Sequence, residues 1–148
     1  MAEASNPSKT PDSSGRSLRR MQNIYPVLKY DDAPEAMDFL AQAFGMERRE
    51  VHEDDSGAVV HAEVRFGDNV IMLGSAGAGD PVFNQGIGRT TIYVVVEEVD
   101  SIYERAKGAG AEIVLEPTDQ DYGSRDFAAR DPEGNIWSFG TYLPGRDG

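Results

Sequence analysis

The sequence predicts an α+β fold made of two tandem copies of one strand–helix–hairpin unit. Three observations carry this expectation. Moved forward by 66 positions, YPVLKYDDAPEAMDFLAQAFG lies on TIYVVVEEVDSIYERAKGAGA, with strand on strand, acidic helix start on acidic helix start, and helix on helix. The same shift carries Val70-Ile71-Met72-Leu73 onto Ile136-Trp137-Ser138-Phe139, so both ends of the unit keep one register. Finally, a single copy would leave a sheet face unburied, whereas two copies can cover it.

Each element has its own justification. Residues 1–22 form a tail expected to be disordered: MAEASNPSKTPDSSGRSLRRM is rich in Ser, Pro and charge and has no apolar period. IYPVLKY is a strand. Asp32 then caps a helix, with Pro34 in its first turn and Glu35 three residues on, as in a capping box. Ala36, Met37, Leu40, Ala43 and Phe44 recur at helical spacing, and Gly45 supplies the left-handed stop. MERREVHE and a loop at DDSG follow. VVHAEVRF and VIMLGS then form a hairpin around Gly67-Asp68-Asn69. Residues 74–88 are loop, with Phe83 a candidate lid residue. The second series runs TIYVVVEE (strand), VDSIYERAKGAG (amphipathic helix), AEIVLEP (strand) and a last hairpin turning on Asp131-Pro132-Glu133-Gly134-Asn135. In that turn Asp131 can bond backbone ahead of it, Pro132 fixes φ, and Gly134 and Asn135 accept positive φ. The resulting division is a first module over 23–75, a linker over 76–88, a second module over 89–143 and a C-terminal tail over 144–148.

Composition narrows the function classes. The chain has 148 residues, 39% of them hydrophobic, enough for one small globular body. No apolar run is long enough to span a bilayer, and the basic N-terminus lacks the apolar stretch of a secretory signal. With no cysteine there is no disulfide, thiolate metal site or cysteine nucleophile, and the expected compartment is the cytoplasm. Net charge is −12; residues 1–21 carry Glu3 and Asp12 against Lys9, Arg16, Arg19 and Arg20, a net +2, which leaves −14 for the rest. Such a field repels nucleic acid and anionic membranes and favours a cationic ligand, besides keeping the protein soluble. No glycine-rich stretch matches a phosphate loop. Asp54-Asp55 and Glu97-Glu98 suit solvated turns or helix starts better than acid–base chemistry.

Three segments carry a family resemblance. They are the strand–Asp–helix opening that ends in AFG, the stretch VVVEEVDSIYERAKGAGAE, and YGSRDFAARDPEGNIWSF with its D-P-E-G-N turn. Together, over residues 23–143, they resemble the vicinal-oxygen-chelate superfamily of glyoxalase I, bleomycin-resistance proteins and extradiol dioxygenases. The resemblance implies two tandem βαβββ modules forming a curled mixed sheet around a cleft. It also implies metal-ligand positions on the first and last strand of each module, which here are Tyr25, Met72, Thr91 and Ser138. Divalent metals take imidazole or carboxylate donors, and a phenol, a thioether and two alcohols do not make such a site. No metal or cofactor is therefore expected.

The resemblance further implies that Tyr25, Val27, Val70, Met72, Thr91, Tyr93, Val95, Ile136 and Ser138 line the cleft, with Lys29 at its rim. The opposite parity (Leu28, Tyr30, Ile71, Leu73, Ile92, Val94, Val96, Trp137, Phe139) packs under the helices. Alternation in VVHAEVRF puts His61, Glu63 and Arg65 on one face, so these three join the candidate ligand-binding set. Filling of a collapsed core is the alternative use of Tyr25, Met72 and Tyr93. His61 and Glu63 offer two metal donors without a third, and Arg65 beside them opposes a cation. His52, in EVHEDD, is expected to be solvated. The expected function is metal-free binding of a small organic, cationic ligand, similar to bleomycin-resistance proteins that sequester a drug as homodimers. The alternative is an enzyme of the same superfamily, a lyase, isomerase or dioxygenase, with a displaced metal site or with proton transfer by His61, Glu63 or Tyr25. A partner module with no small ligand is the third possibility.

Overall fold

The structure is a computed structural model and describes residues 22, 24–79, 81 and 87–144, so Phe83 lies outside the described residues. The elements are β1 (Val27–Tyr30), α1 (Ala33–Phe44), β2 (Glu47–Glu53), β3 (Val59–Phe66), β4 (Asn69–Ser75), β5 (Thr91–Val95), α2 (Val99–Gly108), β6 (Glu112–Asp119), β7 (Arg125–Arg130) and β8 (Ile136–Gly140). They form two four-stranded sheets of identical order, β1-β4-β3-β2 and β5-β8-β7-β6. In each, the first strand pairs parallel to the last and the remaining pairs are antiparallel. This is the α+β arrangement of two βαβββ modules.

The register of the repeat is visible in the pairing itself. Val27 faces Met72 and Leu28 faces Leu73 in the first sheet, and 66 residues later Tyr93 faces Ser138 and Val94 faces Phe139. The first strand is shorter than IYPVLKY. Pro26 has no N–H to give a ladder, so β1 begins at Val27, while the Pro26 carbonyl still accepts from the Met72 N–H at 3.0 Å. Tyr25 thus stands just ahead of the strand rather than on it.

Helix α1 starts and stops as its sequence predicts. The Asp32 carboxylate accepts from the Glu35 N–H at 3.1 Å, and Gly45 adopts φ 74° with its N–H on the Ala41 carbonyl. The other half of the capping box is supplied from elsewhere. The Glu133 carboxylate, in the last turn of the chain, accepts the Asp31 and Asp32 N–H groups at 2.6 and 2.7 Å. At the far end of α1 the Arg105 guanidinium of α2 donates to the Ala41 and Gln42 carbonyls, where a helix end favours positive charge.

One hydrophobic core serves both modules. Every residue of the helix-facing parity is either buried in it or packed against it. Its centre is aromatic: Phe44 of α1 lies 5.8 Å from Trp137 and 4.8 Å from Phe139, which stacks on Phe127 at 5.1 Å. Phe66 of the first sheet reaches Phe139 of the second at 6.4 Å. The modules therefore join through their helices and helix-facing sheet surfaces, and among the described residues no strand of one sheet pairs with a strand of the other. The opposite face of each sheet is left open. Among the described residues, no helix is long and apolar enough to cross a membrane.

The D-P-E-G-N turn locks this arrangement. One carboxylate oxygen of the buried Asp131 accepts the Glu133 and Asn135 N–H groups, both at 3.0 Å. The other accepts the Tyr30 hydroxyl at 2.7 Å, the Asn135 amide at 3.0 Å and the Trp137 indole at 3.2 Å. Burial, and then the Asp131 charge, push the Tyr30 hydroxyl well above the ordinary tyrosine range.

Candidate ligand-binding site

On the first sheet the strand register places Val27, Met72 and Glu63 in one row across β1, β4 and β3. Arg65 stands opposite Val70 in the next row, and His61 opposite His52 on β2. On the second sheet Tyr93, Ser138, Ala128 and Leu115 make the corresponding row, and Thr91 stands opposite Ile136. All these side chains have the parity opposite to the core. Val27 is 56% exposed, Tyr25 41% and Val95 40%, so the apolar members of the open faces are not collapsed into a core. Met72, Tyr93, Ser138, His61, Glu63 and Arg65 are half-buried, and Thr91 is exposed.

The structure brings Val27, Met72 and Glu63 together on one sheet, and Tyr93 and Ser138 together on the other. It does not bring the two sets to each other, because the shared core lies between them. Tyr25 and Met72 on one side, and Thr91 and Ser138 on the other, also supply no imidazole or carboxylate, so they do not fit a divalent metal. Among the described residues no group of three or more His, Asp or Glu side chains stands in an arrangement that could hold a metal ion. His61 Nε2 lies 3.6 Å from Glu63 and its ring 6.0 Å from that of His52, while Arg65 turns away to Glu47 at 3.0 Å. His52 is bonded to Glu50 and largely solvated.

The second open face holds a polar cluster that the sequence reading missed. Asp126 lies opposite Gly140 and is buried, yet it has the parity of the open face. Its carboxylate accepts the Ser124 hydroxyl and, at 3.0 Å, the Tyr122 hydroxyl. The Ser124 oxygen in turn accepts the Tyr142 N–H at 3.1 Å, and the Tyr93 hydroxyl donates to the Tyr142 carbonyl at 2.7 Å. The Tyr122 and Tyr142 rings meet edge to face at 6.1 Å, with Tyr122 65% and Tyr142 51% exposed. Tyr93 is raised above its ordinary value, first by burial, and Tyr122 first by its hydrogen bond to Asp126. One sequence signal pointed here. Asp126 is a charged residue in the otherwise small and apolar run between Arg125 and Arg130.

Two cavities lie along the seam between the modules, and the second of them reaches Tyr93 and Val95 of the open face. One, of about 620 Å³, is bordered by Phe39, Arg89, Arg130 and the 131–134 turn. The other, of about 570 Å³, is bordered by Phe66, Ile71, Ile92, Tyr93 and Leu143. Sequence parity could not place either, since both depend on how the modules pack.

Comparison with known proteins agrees with this architecture. The family model of the Glyoxalase/Bleomycin resistance protein/Dioxygenase superfamily matches residues 25–139. Protein Mb0911c of Mycobacterium bovis is 35% identical over 124 residues, 79% of this chain and 81% of that protein. Rv0887c of Mycobacterium tuberculosis is equally similar over 79% of this chain and 72% of its own length. The crystal structure of TioX from Micromonospora sp. ML1 superposes with a TM-score of 0.71 at 30% identity, covering 82% of this chain and 100% of TioX. A glyoxalase/bleomycin resistance protein/dioxygenase family enzyme from Burkholderia phytofirmans PsJN, at 21% identity and a TM-score of 0.61 over 80% of this chain and 97% of that one, shares the fold. By sequence and by fold, then, this chain belongs to the glyoxalase/bleomycin resistance protein/dioxygenase superfamily.

Proposed function

We propose that this protein binds a small planar or amphipathic organic ligand, with a preference for cations, on its open sheet faces and without a metal. The observation that carries this reading is the chemistry of the four positions where the superfamily places metal ligands. Tyr25, Met72, Thr91 and Ser138 offer ring surface, a thioether and hydroxyls, which suit stacking and a few hydrogen bonds rather than Lewis-acid chemistry. The exposure of Val27, Tyr25 and Val95 supports an occupant for these faces. A second copy of the chain, apposing the first sheet of one protomer to the second sheet of its partner, would enclose Tyr25, Val27, His61, Glu63, Arg65 and Met72 with Thr91, Tyr93 and Ser138. The homodimer, drug sequestration in the manner of bleomycin-resistance proteins, and a cytoplasmic location are parts of the same proposal. The test is stoichiometric binding without turnover. A retained or added ligand recovered chemically unchanged after long incubation supports the reading, and its consumption by purified protein sinks it.

A second reading is favoured by the pairing of His61 with Glu63 at 3.6 Å. It is an enzyme that uses this pair for proton transfer or as part of a displaced metal site. A near-stoichiometric transition metal that is lost in His61→Ala would replace the first reading with this one.

A further inference from the structure

We propose that Asp126, with the rings of Tyr93, Tyr122 and Tyr142, forms a subsite for an organic ammonium group. This rests on the ligand-binding reading above and names the chemistry of one part of that site. The protein has two buried carboxylates in its second module, and their surroundings differ. Asp131 receives five donors from backbone, amide, indole and phenol, and these satisfy its charge within the fold. Asp126 receives only two hydroxyls, from Ser124 and Tyr122, and among the described residues no Lys, Arg or His side chain pairs with it. A buried charge held by so few donors gains from a nearby cation.

The seat of that carboxylate is built into the backbone. At Gly140, the last residue of β8, a Cβ would overlap Asp126 Oδ1 and come within 2.7 Å of the Tyr93 hydroxyl. Glycine weakens a strand, and here it clears the strand surface so that the carboxylate lies over it. The residues after β8 are then fastened down. The Tyr142 N–H binds Ser124, its carbonyl binds Tyr93, and the Thr141 hydroxyl accepts the Arg125 N–H at 3.1 Å. This fixes the Tyr142 ring edge to face against Tyr122 beside the carboxylate. Exposed ring faces around a buried negative charge are the elements that recognise a methylated or primary ammonium. The overall charge of −12 draws such cations to the protein.

The test uses the full-length, isotope-labelled protein titrated with choline and, separately, with 3,3-dimethylbutan-1-ol, its uncharged isostere. Choline is expected to saturate while moving the amides of 122–126 and 140–142. The isostere is expected to bind at least about tenfold more weakly, as are choline to Asp126→Asn and to Tyr122→Ala. Tyr122 is largely exposed, so its truncation tests the subsite even if the Asp126 variant does not fold. Equal affinity for the two probes, amide shifts elsewhere, or choline binding unchanged by Tyr122→Ala overturns the proposal. A parallel titration with 2-naphthol separates the two readings. Naphthol shifts on β5 and β8 without choline binding would sink the ammonium subsite alone, and no binding of either probe would sink both.

Discussion

Asp131 shows how much one residue can decide. As a turn residue its bonds to the Glu133 and Asn135 N–H groups are ordinary, and that much is readable from D-P-E-G-N. Its bond to Tyr30 is not, because it depends on β1 of the other module lying over the turn, and the same oxygen also accepts the Trp137 indole from β8. Asp131→Ala leaves a phenol, an indole and an amide without their buried acceptor, and is expected to destabilise the fold by about 3–5 kcal/mol in urea unfolding. Tyr30→Phe removes one bond and is expected to cost about 1–2 kcal/mol. The Tyr30 hydroxyl also sets a pH limit. Its value in the folded protein is raised above the ordinary 10.0, so its contribution is complete below that pH. As pH rises past 10.0 the unfolded chain ionises and the folded one does not, and stability falls. Stability curves from pH 8 to 11 should show this fall in the wild type and a shallower one in Tyr30→Phe. Identical slopes would mean that Tyr30 is not the group responsible.

The elements were legible where a local signal fixes them. Asp32, Pro34 and Gly45 mark both ends of α1, and the alternation of VVHAEVRF sets which side of β3 is buried. Gly45→Ala puts a Cβ at positive φ, 3.3 Å from the Arg105 guanidinium, and is expected to lower stability by about 1–2 kcal/mol, read as a shift in the urea midpoint with unchanged slope. What stayed hidden followed from one residue of length. Arg65 faces Val70 across the β3–β4 turn, whereas Arg130 faces Ile136 across the longer D-P-E-G-N turn. The repeat shift is thus 66 for the first and last strands but 65 for β3 and β7. A uniform shift of 66 sets His61 on the core residue Phe127. The structure sets it on Asp126, which is how the polar centre of the second open face escaped a reading based on one shift.

At the scale of the whole molecule, the repeat was legible but the way its copies join was not. Parity divides each sheet into a core face and an open face, and it does so correctly for both modules. It does not say whether two modules share their open faces or their core faces. The packing of Phe44 on Trp137 and Phe139 answers this: the core is shared, and the open faces lie outside it. A first module cut after residue 79 would lose that aromatic centre, so it is expected to show no cooperative thermal transition by circular dichroism. A sharp melt would show that the modules fold independently. The proposed function has these open faces form a metal-free organic site completed by a second chain. Native mass spectrometry of the protein purified without chelator tests it most directly. The expected result is a dimer free of transition metal that takes up small organic molecules stoichiometrically; a monomer carrying one tightly held metal ion would contradict this.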